Sequence, residues 1–155
     1  LTIVVEGMGR INSGRYVNDS MGRYIGKKVV KKIISQGKNI LGAHVLVMGM
    51  TFKENVSDIR NSKVADIINE FKDFGAEVDV MDPFASPLEV LQEYGIRLVE
   101  RPGKKYDAVV VAVAHTTYLK LDESYFMSIT NEHAVLADVK GVYRGSIHQM
   151  IYWSL

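Results

Sequence analysis

The chain has 155 residues, 47% of them hydrophobic, which is enough for one buried core and too few for two ordinary domains. It contains no cysteine, which excludes disulfides, thiolate metal ligands and thiol nucleophiles from the chain itself and suits a reducing, cytoplasmic setting. The net charge of +1 conceals an asymmetry, because residues 1–40 hold eight Lys or Arg against two acids and the remainder eleven against sixteen.

No apolar stretch approaches the roughly 20 residues needed to cross a bilayer, and the opening Leu1 to Glu6 is too short, and lacks the basic flank, for a signal peptide. A first residue of Leu in place of Met suggests an excised piece or a processed chain, with further chemistry expected upstream. From Ile11 to Gln36, Met21, Ile25, Val29 and Ile33 recur every four residues, Val30 and Ile34 widen the stripe, and Lys27, Lys28, Lys31 and Lys32 take the other face. This spacing predicts a long amphipathic helix that starts after Asn12 or Asn18 and ends near Gly37. Gly22 and Gly26 weaken it locally and, lying four apart, permit a close helix approach, in a subunit interface or in ordinary packing. The lysine face is a solvated or contact surface; no helix-turn-helix, finger spacing or aromatic-basic interleaving accompanies it, so nucleic acid is not an expected partner.

Ala43 to Met50 is almost continuously apolar, as in a central parallel strand covered on both faces. Asn61 to Phe74 then switches to helical period, with Val64, Ile67, Ile68, Phe71 and Phe74 on one stripe, Asn61 or Ser62 as cap and Gly75 as stop. A strand is expected at Glu77 to Met81, a helix at Pro87 to Tyr94, a short strand at Ile96 to Val99, another at Asp107 to Ala114, an irregular segment with a helix at Thr116 to Thr130, and a last clear strand at Ala134 to Val139. The alternation predicts an α/β fold, an open, mostly parallel Rossmann-like sheet flanked by helices and preceded by a long helix.

In such a sheet the ligand crevice lies beyond the carboxyl ends of the strands, and Lys53, Asp82, His115 and Lys140 all follow predicted strands. Gly49, Met50, Thr51 and Phe52 do not meet the glycine fingerprint of a dinucleotide loop, so this turn is not a normal NAD cradle. Lys53 is placed to bind an anion or else to stand free in solvent. Arg60 sits near a helix start, where a guanidinium makes sense as an anion clamp beside the helix amides or as a partner of Asp58. Asp82 stands where a ribose-binding acid would, but Pro83 makes a turn and cap role equally natural. His115 has no carboxylate within a few residues to orient it, and it forms no metal spacing with His44, His133 or His148; neither catalysis nor a metal site is expected. Lys140 is placed to join Lys53 around a phosphate or sugar oxygen, and Arg15 either reaches a ligand or partner subunit or pairs with Asp19.

The segments Gly14 to Gly22, Gly49 to Ser62, Val80 to Pro83, Tyr106 to Ala108, Ala112 to His115 and Asp138 to Gly141, in this order, resemble the carboxyl-terminal part of the UDP-glucose/GDP-mannose dehydrogenase family, in particular its branch acting on UDP-N-acetylhexosamines or their uronate relatives. The resemblance implies an enzyme that oxidises a nucleotide-sugar C6 alcohol to a carboxylate with NAD, through an upstream cysteine and an upstream NAD domain. It divides the chain into the end of a central helical dimerisation region, residues 1–37, and a UDP-sugar-binding α/β domain, residues 38–155. It assigns substrate contacts to Phe52, Lys53, Lys140 and, across a homodimer, Arg15, and places Arg60 towards the NAD pyrophosphate; no catalytic residue is expected here, and the chain alone is expected to be inactive. The alternatives are a non-catalytic nucleotide-binding or regulatory module, and an assembly domain in which Lys53 is a bystander.

Overall fold

A computed structural model describes the backbone of residues 9–155 and the side chains of residues 21–155. Its elements are α1 (Gly9–Ser35), β1 (His44–Met48), α2 (Val64–Asp73), β2 (Glu77–Met81), α3 (Pro87–Tyr94), β3 (Tyr106–Val111), a 3₁₀ turn (Thr116–Lys120), α4 (Glu123–Ser128), β4 (Thr130–Asp138) and β5 (Ile151–Ser154). The strands form one sheet in the order β2-β1-β3-β4-β5, and every pairing is parallel. The α/β architecture expected from the alternation of periods is the one observed.

Strand β1 shows why the sheet is central. Val45 and Val47 face a core shared with Ile25, Val29 and Ile33 of α1 and Ile67, Ile68 and Phe71 of α2. Leu46 and Met48 point the other way, into a second core with Tyr106, Tyr118, Phe126 and Tyr143. A strand buried on both faces needs apolar residues at every position, which is the near-continuous run seen in the sequence.

Helix α1 lies so close to α2 that the glycines on its contact face have no room for a side chain. A Cβ at Gly22 would stand 2.7 Å from the Asp66 Cβ and 2.9 Å from the Lys63 carbonyl, and one at Gly26 2.7 Å from the Glu70 Cβ. The paired glycines therefore serve packing within the chain. Charges seal the seam: Arg23 donates to Glu70 at 2.7 Å and Asp73 at 3.1 Å, while Lys27 approaches Glu70 at 3.3 Å. Part of the basic face thus answers the acids of α2. Gly26→Ala sets a propensity gain of about 1 kcal/mol against an overpacking cost of about 1–3 kcal/mol. A net loss of up to about 2 kcal/mol is expected in urea unfolding, and a more stable variant would contradict the tight seam.

The structure departs from the sequence reading at several places. Helix α1 is already formed at Gly9, ahead of Asn12. Helix α2 begins at Val64, with the Ser62 hydroxyl accepting from the Val64 amide at 3.3 Å. Ile96 to Val99 forms no strand; a single parallel bridge joins Leu98 to Val80. The irregular segment contains a helix as expected, α4, begun by Asp122, whose carboxylate accepts from the Tyr125 amide, and the 3₁₀ turn precedes it. Strand β4 starts at Thr130, before Ala134, and β5 was not anticipated. Helix α3 occupies Pro87–Tyr94 as expected, because Ser86, Pro87 and Gly95 supply cap, first-turn and stop signals locally.

Candidate functional site

The chain runs outward from β1 to β2 and then returns to place β3 on the other side of β1, so the connections diverge above the carboxyl ends of β1 and β3. A cleft of about 250 Å³ opens there. Thr51, Phe52 and Lys53 border it from the turn after β1, Ala112 and Val113 from the end of β3, and Val139 and Lys140 from the end of β4, with α1 and the start of α2 as a wall. The two lysines expected to converge, 87 positions apart in sequence, line one depression. Lys63 and Glu54 also line it. Lys53 and Lys140 are exposed, and no carboxylate lies within salt-bridge distance of either among the described residues. Uncompensated ammonium groups in a partly walled cleft favour an anion. Phe52, 55% exposed, offers an aromatic face beside them.

Buried aspartates hold both lysine-bearing turns. The Asp82 side chain, at the end of β2, is fully buried. Its Oδ2 accepts from the Met50 amide at 2.6 Å, the Thr51 amide at 3.0 Å and His115 Nε2 at 2.9 Å; its Oδ1 accepts from the amides of Phe84 at 2.7 Å and Ala85 at 3.3 Å. Burial opposes the charge, but the His115 hydrogen bond and the amides of Met50 and Phe84 outweigh it and hold the carboxyl below the usual aspartate range. Asp138, at the end of β4, accepts from the Val142 and Tyr143 amides at 3.0 Å and 2.7 Å and from the Tyr152 hydroxyl, which fixes the turn through Lys140 and ties it to β5. Burial first, and then Asp138, push the Tyr152 phenol up to about 12.

Asp82 therefore has the turn and cap role, with no lone pair turned to a ribose. The amides of Met50 and Thr51, which a dinucleotide pyrophosphate would need, are spent on the same carboxylate. The residues of this turn do not fit an NAD cradle.

The expectation that His115 lacks an orienting acid is corrected: its partner, Asp82, lies 33 residues upstream and is brought alongside by the parallel pairing of β1 with β2 and β3. Arg60 stands outside the cleft, exposed, with Nε and Nη2 donating to the two Asp58 oxygens at 3.0 Å and 3.1 Å. That hydrogen-bonded pair raises the guanidinium pKa and lowers the carboxyl one. The side chain of Arg15 lies outside the described residues. Sequence reasoning missed Asn55 and the anchoring role of Asp138; acids at consecutive strand ends were the available signal for the second.

A larger hollow of about 520 Å³ lies on the opposite face, between Met48, Met81, Val99, Tyr118, Leu121 and Tyr125. Among the described residues no Lys or Arg lines it, so the smaller cleft is the better anion site. Among the described residues no three His, Asp or Glu gather as a metal site, and no helix is long and apolar enough to cross a membrane.

An open parallel sheet with a cationic cleft at its strand ends defines a nucleotide-binding α/β domain as a class. A family model described as UDP-glucose/GDP-mannose dehydrogenase family, UDP binding domain, matches residues 46–145. The chain belongs to this family. It is 38% identical over 133 residues to a UDP-N-acetyl-D-glucosamine 6-dehydrogenase of Salmonella typhi, covering 85% of this chain and 31% of that protein. It is 39% identical over 131 residues to the protein of the same description from Pseudomonas aeruginosa, covering 84% and 31%. Among solved structures, the UDP-N-acetyl-mannosamine dehydrogenase Cap5O from S. aureus superimposes with a TM-score of 0.74 at 25% identity, over 96% of this chain and 33% of that one. The chain thus spans about a third of the length of these relatives.

Proposed function

We propose that this chain is the UDP-sugar-binding part of an NAD-dependent nucleotide-sugar 6-dehydrogenase that oxidises a C6 hydroxyl to a carboxylate. The meeting of Lys53 and Lys140 in one cleft at the strand ends carries the reading. Their ammonium groups neutralise the diphosphate, and Phe52 packs against the nucleotide-sugar. The two bacterial relatives named for UDP-N-acetyl-D-glucosamine point to a UDP-N-acetylhexosamine as the substrate class. Residues 1–37 belong in this reading to the central helical region, with α1 joining two subunits and Arg15 serving the neighbour's site, while Arg60 leaves Asp58 for the NAD pyrophosphate as the cleft closes.

The division of labour follows from what the chain contains. It has no thiol, and its turn after β1 cannot cradle NAD, so it contributes binding and orientation; hydride acceptance and aldehyde capture belong to other residues of the complete enzyme. Grip on the phosphates is uniform between ground and transition states and acts by fixing where C6 lies. Calorimetric titration of UDP into this chain is expected to show weak binding with no NAD reduction. Lys53→Ala should weaken it at least about tenfold, because a charge-assisted hydrogen bond is worth about 1.5–3 kcal/mol. Equal affinities would remove Lys53 from the site.

A further inference from the structure

The turn that carries Phe52 and Lys53 is tied down on both sides of the lysine. Before it, the Met50 and Thr51 amides donate to Asp82, the Phe52 amide donates to the Asp58 carbonyl at 2.7 Å, and the Thr51 hydroxyl donates to the Lys53 carbonyl at 2.9 Å. After it, the Asn55 amide donates to His115 Nδ1 at 2.9 Å. The Asn55 and Thr116 groups then close a reciprocal pair: Asn55 Nδ2 donates to the Thr116 hydroxyl at 2.8 Å, and the Thr116 amide donates to Asn55 Oδ1 at 2.9 Å. Asn55 makes these bonds from a left-handed backbone, φ 61°, a conformation asparagine tolerates better than most residues.

The bonding around His115 fixes its tautomer. Nδ1 receives an amide hydrogen, so it presents a lone pair; Nε2 faces a carboxylate, so it carries the proton. Phe84 and Tyr118 pack their rings against the imidazole with centroids 4.7 Å and 5.4 Å away, and its side chain is fully buried. Asp82 can only accept and the Asn55 amide can only donate. A residue bridging them must do one of each on opposite sides, which excludes lysine, arginine and a carboxylate.

We infer that the His115–Asn55 clamp is a positioning device for the diphosphate site: it bolts the Lys53 turn to the segment after β3, so that the ammonium faces the cleft before a ligand arrives. The inference rests on the diphosphate reading of the cleft. His115 touches no ligand in this scheme and acts through Lys53. Holding the turn in advance spares the ordering cost that binding would otherwise carry.

The test is a double-mutant cycle on this chain with UDP and uridine as the two probes and thermal melting run in parallel. His115→Phe keeps an aromatic ring against Phe84 and Tyr118 and removes both nitrogens that span the two partners; Asn55→Gly keeps the left-handed backbone and deletes the side-chain bonds to Thr116. Each is expected to weaken UDP about fivefold, roughly the worth of one hydrogen bond, with uridine changed less than about twofold by the same reckoning, and to lose this effect in a Lys53→Ala background. Nitrogen-detected spectra of the imidazole should show the Nε2-protonated tautomer. Equal losses for UDP and uridine, a loss that persists without Lys53, or an Nδ1-protonated ring would each overturn the clamp. Should His115→Phe not fold, Asn55→Gly, at an exposed position, carries the cycle alone. Failure of the wild-type chain to bind UDP would sink the cleft reading itself, whereas weakening by Lys53→Ala with none from the two clamp variants would sink only this inference.

Discussion

Asp82→Ala is expected to destabilise the chain by about 3–5 kcal/mol, the scale for removing one partner of a buried charged network, and to abolish UDP binding in what remains folded. Five donors converge on this carboxylate: the amides of Met50, Thr51, Phe84 and Ala85, and His115 Nε2. Alanine leaves them facing a hole. Asparagine does not rescue them, because both oxygens receive hydrogens and either orientation of the carboxamide turns its NH₂ towards other donors. The loss is large against the roughly 5–15 kcal/mol that a domain commands. Urea unfolding gives the free energy, and a cost below about 1 kcal/mol, the worth of one ordinary hydrogen bond, would show that the amides find water.

The same carboxylate predicts the acid limb of stability. Its pKa in the folded chain lies below the ordinary value of 3.8. Its contribution is therefore fully present above that value and is lost as pH falls through the lower, folded one. Asp107 adds a change of the same sign, since the His44 amide, Asn131 and Lys38 together outweigh its burial. Wild type should lose stability below about pH 4, and Asp82→Asn should lose less over that window from its lower starting point. An identical slope in the two proteins would place the acid sensitivity elsewhere.

Local signals made α3 and β1 legible in the sequence. Ser86, Pro87 and Gly95 bracket the first, and the unbroken Val45 to Met48 run declares the second. The convergence of Lys53 and Lys140 was legible for a different reason: each follows a parallel strand, and parallel strands end on one edge of a sheet whatever their separation along the chain. Strand β5 escaped because Ile151, Tyr152, Trp153 and Ser154 are all half-buried on an edge, so no alternation marks them. Ile96 to Val99 misled because its alternation around exposed Arg97 looks like a strand, yet Ile96 and Leu98 pack on the core with a single bridge to β2. The Asp82–His115 pair was hidden by distance along the chain, since only the strand order, with β1 between β2 and β3, brings those two ends together. Arg60 was ambiguous from local spacing, and Asp58 holds its guanidinium in this structure.

Gly49→Ala tests whether the ends of β1 and β3 meet as tightly as the strand order requires, and a loss of about 3 kcal/mol is expected. Gly49 follows β1 with φ 102°, and a Cβ there would stand 2.6 Å from the Val113 Cβ and 2.8 Å from the Val113 amide nitrogen. Two costs add. A left-handed backbone under a side chain costs about 1–2 kcal/mol, and forcing a methyl into packed backbone about 1–3 kcal/mol. Gly37 separates them: its φ is 78°, yet an added Cβ meets nothing within 4 Å, so Gly37→Ala should show the conformational cost alone. The steric remainder acts between the ends of β1 and β3, where the chain reverses and the cleft opens. Pushing Gly49 from Val113 shifts Phe52 and Lys53 relative to Lys140, so UDP affinity should fall with stability in Gly49→Ala and stay unchanged in Gly37→Ala. Equal destabilisation by the two substitutions would mean that β1 and β3 do not meet closely enough to define the spacing of the lysines.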